Sequence, residues 1–316
     1  VSGGIVRVAA AVIVGPDGRV LLAQRPFGKA YAGYWEFPGG KLEPGESPRR
    51  ALDRELSEEL GIKVHRAAPW LVQRYRYPHA HVELHFFRVF EWDGEPVGHD
   101  GQAFAWQTPG SFEVEPLLPA NTLVLRALAL PPVYGITIAE ELGEARFLAH
   151  AEAALADGLR LIQMREKDWP VDRQRALARA LVTLARPRGA KVLLNGVARR
   201  AREWGCDGVH LTSAALEAAN ARPAPDDMLC AASCHTRAEI EKAGTLGLDF
   251  AVLGPVFPTP SHPHARTLGW ERFASIAAEA PLPVFALGGL ARGDLDVAIA
   301  HGAHGVALRR GAWPSR

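Results

Sequence analysis

Gly39-Gly40-Lys41-Leu42-Glu43-Pro44-Gly45-Glu46, continued by Ser47-Pro48 and a run that ends at Gly61-Ile62, decides the first half of the chain. Ser47 is a favoured N-cap, Pro48 suits the first helical position where no N–H is needed, and Gly61 supplies a stop. The spacing predicts one helix between Ser47 and Gly61. Leu52, Leu56 and Leu60 recur every fourth residue and form an apolar stripe. Glu55, Glu58 and Glu59 stand at i, i+3 and i+4, so their carboxylates converge on a neighbouring face. Such a set repels itself unless a cation lies among it. Magnesium suits, with manganese as a substitute, because it takes oxygen ligands and bridges carboxylates to substrate phosphates. Arg54, one turn before Glu58, is placed to orient it through a charged hydrogen bond.

A solvated acidic face is the usual meaning of clustered glutamates, but the wider string is more specific. Gly40-x5-Glu46-x7-Arg54-Glu55-Leu56-x-Glu58-Glu59-x-Gly61-Ile62 meets every fixed position of the Nudix box. Trp35-Glu36-Phe37-Pro38 before it, Trp92-Asp93-Gly94-Glu95-Pro96 after it and Leu118-Pro119-Ala120-Asn121 further on resemble the MutT-type branch of that family. The resemblance spans residues 5–130 and implies an α/β/α sandwich with a mixed sheet. It also implies hydrolysis of 8-oxo-dGTP to the monophosphate and pyrophosphate, a nucleotide-pool sanitation that avoids mutation. It makes Glu55, Glu58, Glu59 and the Gly39 carbonyl metal ligands, with Asp100 as a further loop carboxylate. Glu55 or Asp100 would take the proton of the attacking water; the sequence leaves both open.

Arg25 and Lys41 are candidates to hold phosphate oxygens of a nucleoside triphosphate, and Phe37 and Tyr77 to pack against its base. Asn121 is the base-reading candidate. Its amide offers one donor and one acceptor, which match the O6 acceptor and N7–H donor of 8-oxo-guanine. Its alternative role is to cap the helix that follows. Ala30 and Ala80 stand where the family places polar contacts.

Outward from this core, Val6–Val14, Val20–Gln24, Trp70–Arg76 and Val82–Trp92 read as strands. Pro131-Pro132 end the helix-like run 121–130 and mark a boundary, giving a first domain over 1–130 and a second over 133–316. A net charge of +1 gives no reason to expect a nucleic-acid polymer or a membrane as partner. Ile5–Val14 carries Arg7 and lacks the flanks of a signal peptide. Cys206, Cys230 and Cys234 are sparse and odd in number, which suits reduced core thiols in a cytoplasm rather than a disulfide framework.

Beyond the boundary, eight short apolar segments alternate with Ala/Leu/Arg-rich helical stretches: Tyr134–Ile138, Leu159–Arg165, Lys191–Asn195, Gly208–Leu211, Leu229–Ser233, Phe250–Phe257, Val284–Leu290 and Gly305–Leu308. That is the pattern of a (β/α)8 TIM-type barrel. Little chain follows the eighth strand, so a full last helix is expected to be missing, its flank covered by the first domain or a second subunit. Tyr134-Gly135-Ile136-Thr137, Gln163-Met164-Arg165-Glu166-Lys167, Asp207-Gly208-Val209-His210-Leu211 and Ala286-Leu287-Gly288-Gly289-Leu290 resemble the thiamin-phosphate synthase/TenI group. The likeness implies a phosphorylated pyrimidine or thiazole as ligand. It places Gln163, Arg165, Lys167, Asn195 and Ser233 at the pyrimidine diphosphate, and Gly288 and Gly289 at the thiazole phosphate. The synthase's metal-binding aspartates are replaced at Gly196 and Ala215, so a barrel degenerate as a synthase is expected. His235 falls in the string where TenI proteins carry a proton-transferring histidine. A thiazole-phosphate isomerase and a sensor module both stay open, as does coupling of the halves in salvage of damaged thiamin diphosphate.

Overall fold

The computed structural model describes residues 4–98, 102–259 and 266–314, which form two compact units, Val1–Ala129 and Leu130–Arg316. In the first unit β1 (Val6–Ile13), β2 (Val20–Gln24), β3 (Trp35–Glu36) and β4 (Gly39–Lys41) precede α1 (Pro48–Leu60). β5 (Lys63–Arg76), β6 (His81–Asp93), β7 (Phe104–Gln107) and α2 (Thr122–Leu128) follow. One sheet has the order β4-β1-β6-β5 and the other β3-β2-β7. β1 and β6 are parallel while β4 and β5 join antiparallel, so the larger sheet is mixed.

Alternation along β1 builds the sandwich. Ala9, Ala11 and Ile13 pack with Leu52, Leu56 and Leu60 of α1, whereas Ala10 and Val12 pack with Val124, Leu125 and Ala127 of α2. A strand has side-chain period two, so one strand feeds both layers. The three leucines of α1 are fully buried. Ser47 caps its start by accepting from the Arg50 N–H, and Gly61 closes it in the left-handed region at φ 66°.

β5 is twice as long as the segment 70–76 suggests, because it runs through Pro69. The ladder shifts register between Pro69 and Leu71, where a missing N–H is tolerated.

The second unit is a closed eight-stranded parallel barrel. Its strands are β8 (Val133–Ile136), β9 (Leu161–Met164), β10 (Lys191–Asn195), β11 (Gly208–Leu211), β12 (Leu229–Cys234), β13 (Phe250–Leu253), β14 (Val284–Leu287) and β15 (Gly305–Leu308). The helices are α3 (Ala139–Leu142), α4 (Glu144–Ala156), α5 (Val171–Ala185), α6 (Ala198–Trp204), α7 (Ser213–Ala218), α8 (Arg237–Thr245), α9 (Gly269–Ala277) and α10 (Leu295–Ala300). Tyr134, Phe250 and Phe285 fill the barrel interior, with ring centroids 5.1–5.9 Å apart. All three cysteines are buried and free.

After β15 the described chain makes a short turn, Arg310–Ala312. Trp313 is buried, donates its indole N–H to the Ile136 carbonyl at 2.8 Å and meets Phe147 edge-on. Among the described residues, no helix is long and apolar enough to cross a membrane.

Candidate functional site

In the first unit the turn before α1 brings backbone against carboxylate. Gly39 adopts φ 141°, and a Cβ there would lie 2.1 Å from the Ala9 carbonyl oxygen; at Gly40 a Cβ would lie 2.1 Å from the Glu55 carboxyl carbon. Only paired glycines let β4 run so close to both β1 and the helix. Arg54 gathers the acidic groups. Its guanidinium donates to Glu46 at 3.0 and 3.1 Å, to Glu55 at 2.9 Å, to Glu58 at 3.2 Å and to the Lys41 carbonyl at 3.0 Å. The Arg54 hydrogen bonds hold the Glu46 carboxyl below its ordinary range, and the same bonds hold Arg54 firmly protonated. Glu46 stood in the sequence string without a role; its task is to fix Arg54 from the loop side.

Glu55 is largely shielded, with a side chain 15% exposed, whereas that of Glu58 is 62% exposed and Glu59 is half-buried. Among the described residues, no cluster of three His, Cys, Asp or Glu side chains is arranged to hold a metal ion. Arg54 is the cation that bridges Glu55 and Glu58. The donor set still fits a hard divalent ion by chemistry, since its groups are carboxylates and a backbone carbonyl. Glu58 is a surface side chain paired with Arg54 at 3.2 Å. Asp100 lies outside the described residues.

The remaining candidates divide. Phe37 and Tyr77 share one apolar cluster with Leu118 and Ala120, next to Asn121. Burial pushes the Tyr77 phenol up to about 12. Tyr77 also meets Tyr75 at 4.6 Å, Tyr31 at 5.3 Å and His79 at 5.4 Å, an aromatic group that the sequence did not suggest. Asn121 is 3% exposed, makes no capping hydrogen bond to α2, and among the described residues its amide nitrogen has no hydrogen-bond partner. Lys41 is exposed at the end of β4. Arg25 is committed elsewhere: it pairs with both Glu36 oxygens at 2.5 and 2.6 Å and donates to the Ala30 carbonyl at 2.8 Å. Burial raises the Glu36 carboxyl above its ordinary range although Arg25 opposes the shift.

The second unit holds a cavity of about 790 Å³ at the carboxyl ends of its strands, the usual place for a barrel site. Gln163, Arg165, Asn195, Ser233, His235, Gly288 and Gly289 all line it. Lys167 does not; its side chain is 64% exposed and lies 3.7 Å from Asp168. Gly288 and Gly289 have φ 109° and 64°, and a Cβ on either would press within 2.7 Å of Pro255 or Phe257. His235 shares a hydrogen bond of 2.7 Å with the Gly254 carbonyl through Nδ1. A carbonyl only accepts, so Nδ1 carries the proton of this hydrogen bond.

His210 was missed by sequence reasoning because it reads as one more strand residue. It is fully buried at the cavity floor, with Nε2 2.9 Å from Ser233 Oγ and Nδ1 3.3 Å from the Tyr134 hydroxyl. Burial first, and the Arg165 charge second, pull it down to about 3, so it stays neutral. Thr212, Ser213, Arg266, Arg309 and Arg310 also line the cavity unannounced. The one available signal for Arg309-Arg310 was position, directly after the eighth strand.

A mixed-sheet unit whose acidic helix faces a glycine pair, followed by a closed parallel barrel with a cavity at its strand ends, defines a two-part α/β chain. Residues 4–128 match the NUDIX domain model, and residues 133–312 match that of thiamine monophosphate synthase. The 8-oxo-dGTP diphosphatase of Haemophilus influenzae is 38% identical over 124 residues, covering 39% of this chain and 91% of that protein. The CTP pyrophosphohydrolase of Escherichia coli is 42% identical over 118 residues, 37% of this chain and 87% of that protein. The thiamine-phosphate synthase of Chromobacterium violaceum is 35% identical over 191 residues, 58% of this chain and 91% of that protein. The chain therefore belongs to the Nudix pyrophosphohydrolases through its first unit and to the thiamine monophosphate synthase family through its second.

Proposed function

We propose that the first unit hydrolyses 8-oxo-dGTP to 8-oxo-dGMP and pyrophosphate with magnesium. Asn121 carries this reading. A buried amide whose N–H lacks a partner costs about 1–3 kcal/mol, and a base edge offering an acceptor beside a donor removes that cost. The O6 and N7–H of 8-oxo-guanine are such an edge; unmodified guanine sets its N7 acceptor against the amide oxygen. Rejection by unpaired buried polar groups can reach about 10⁴-fold. Phe37 and Tyr77 belong to the apolar cluster beside Asn121 and would supply ring surface to the base.

When bound, magnesium offsets phosphate charge and raises the acidity of water. The chain's own groups do the rest. Glu55, wedged against Gly40, is positioned to accept a proton from the attacking water, with Asp100 as the alternative acceptor. Glu58 and Glu59 supply oxygen donors, and Arg54 sets the directions of Glu46, Glu55 and Glu58. Lys41, exposed at the end of β4, would meet a phosphate oxygen.

A second reading follows from the same amide. Cytosine also presents a donor beside an acceptor, so the kinship to a CTP pyrophosphohydrolase makes CTP the competing substrate. For the barrel, we propose binding of a phosphorylated thiazole or pyrimidine without thiamin phosphate synthesis. Gly196 and Ala215 provide no carboxylate to hold an ion at a departing pyrophosphate.

The test is a turnover panel with 8-oxo-dGTP, dGTP, CTP, thiamin diphosphate and its oxidised analogue, with and without chelator, on wild type and Asn121→Ala. We expect 8-oxo-dGTP to lead, chelator to abolish release of pyrophosphate, and Asn121→Ala to narrow the 8-oxo-dGTP/dGTP ratio by about tenfold or more. Equal loss on both nucleotides would make Asn121 structural, and a lead for CTP would replace the substrate.

A further inference from the structure

A second buried amide of the first unit is left unsatisfied. Gln73, on β5, is 7% exposed, and among the described residues its Oε1 has no hydrogen-bond partner. Buried polar side chains in folded proteins are paired as a rule, and an exception calls for a cause. Packing supplies none. A straight apolar side chain of the same length, such as methionine, would fill the space without stripping an acceptor of water.

Strand register places this amide. Side chains alternate along a strand, so Leu71, Gln73, Tyr75 and Tyr77 share one face of β5. Leu71 and Tyr77 belong to the apolar cluster that holds Phe37, and Tyr75 packs against it. Across the sheet, Leu71, Phe86 and Ala10 form one row, and all three are buried. Tyr75, Val82 and Val6 form a row further along, and all three are partly exposed. Gln73, Leu84 and Val8 make the row between, where the apolar floor passes from covered to open. Asn121 reaches the same cluster from the turn before α2, and the Tyr77 hydroxyl meets the backbone of Ala120 beside it. Gln73 stands four residues before Tyr77, about 13 Å of strand, so the two amides enter the floor from different sides.

A guanine-type base carries polar groups along two edges. O6 and N7–H lie on the side assigned to Asn121, and the exocyclic amino group lies on the other. Cytosine spends its donor and the adjacent acceptor on a single amide, and its remaining O2 is an acceptor with no proton for Gln73 Oε1. We propose that Gln73 is a second base-reading residue of the first unit, its Oε1 accepting a hydrogen bond from the exocyclic amino group of a guanine-type base. Asn121 sorts the oxidised base from the unoxidised one, and Gln73 sorts bases that bear the amino group from those that lack it. A base without that group leaves the buried acceptor unpaired, which is how a polar site rejects a near-isostere. The inference deepens the reading of the first unit as an 8-oxo-guanine nucleotide hydrolase and rests on it.

Steady-state hydrolysis of 8-oxo-dGTP, 8-oxo-dITP and dGTP by the full chain tests it, since the inosine nucleotide lacks only the amino group. We expect wild type to favour 8-oxo-dGTP over 8-oxo-dITP by about tenfold or more in kcat/KM, mainly through KM. Gln73→Met should abolish that preference and keep the one for 8-oxo-dGTP over dGTP, whereas Asn121→Ala should do the reverse. The Gln73 variant should also melt higher than wild type without ligand, because an apolar side chain replaces an unpaired acceptor. Gln73→Leu keeps the test open if Gln73→Met fails to fold. An amino-group preference unchanged in the folded variants, or equal loss on all three nucleotides with a lower Tm, would make Gln73 structural and overturn the proposal. Wild type that turns over 8-oxo-dGTP and 8-oxo-dITP equally would overturn it too, with the hydrolase reading intact. Turnover of none of the three purine nucleotides would sink that reading, and the proposal with it.

Discussion

At Gly40 a single missing methyl group decides where the Glu55 carboxylate, the proposed proton acceptor, rests. A Cβ there would overlap the Glu55 carboxyl group. Gly40→Ala should therefore displace Glu55 while leaving the apolar stripe of α1 intact. An error near 1 Å at a reacting group can cost about a hundredfold in rate. We expect kcat to fall by about that factor with a small change in Tm; unchanged kcat would remove Glu55 from the reaction. His210 makes a second residue-scale case. Its ionisation falls from an ordinary 6.5 to about 3 because the folded barrel buries the ring and sets Arg165 near it. The unfolded chain binds the proton first, so this group's share of stability is full above pH 6.5 and declines as pH falls toward 3. The slope in that window is about 1.4 kcal/mol per pH unit. Urea unfolding at several pH values should show a shallower acid slope for His210→Gln, and equal slopes would mean that the ring is not buried neutral.

Among the elements, α1 was the most legible, since cap, proline, leucine stripe and terminal glycine each act within a turn or two. Its stability rests on the stripe. Leu56 is fully buried between β1 and the helix, so Leu56→Ala should destabilise the first unit by about 3 kcal/mol, read by denaturant melts. A loss under about 1 kcal/mol would mean that the layer collapses around the gap. The barrel strands were legible too, as apolar runs buried on both faces. Two elements were not. Pro69 masks the first half of β5, because a proline signals a strand end unless a register shift absorbs it. β3 and β4, with two and three residues, lack the length for any periodicity. The candidate site follows the same rule. The glutamates of α1 announce themselves by spacing, whereas Tyr134, His210 and Ser233 meet from three strands, and Glu141 meets Arg309 across 168 positions. No local pattern encodes such meetings.

The scale of the whole chain sets a question of independence. Each unit draws its apolar clusters from its own residues: those of the first come from residues 8–128, and those of the second from residues 130–313. Leu130 belongs with the barrel, since its carbonyl meets His304 at 2.9 Å and its side chain packs near Tyr134 and Phe285. Pro132 does as well, for its carbonyl accepts from Val306. A cut after Ala129 thus severs one peptide bond without opening either core, and all the hydrolytic candidates from Arg25 to Asn121 precede it. We expect residues 1–129 to fold with a cooperative melt and to retain kcat/KM on the full chain's best substrate within about threefold. That figure is under 1 kcal/mol of transition-state stabilisation. A folded but inactive fragment would show that the barrel takes part in hydrolysis. An unfolded one would show that stability is shared between the halves. Mixing the fragment with a separate barrel in the presence of pyrophosphate discriminates further, because rescue of turnover by the added barrel would prove functional coupling that the separate cores give no reason to expect.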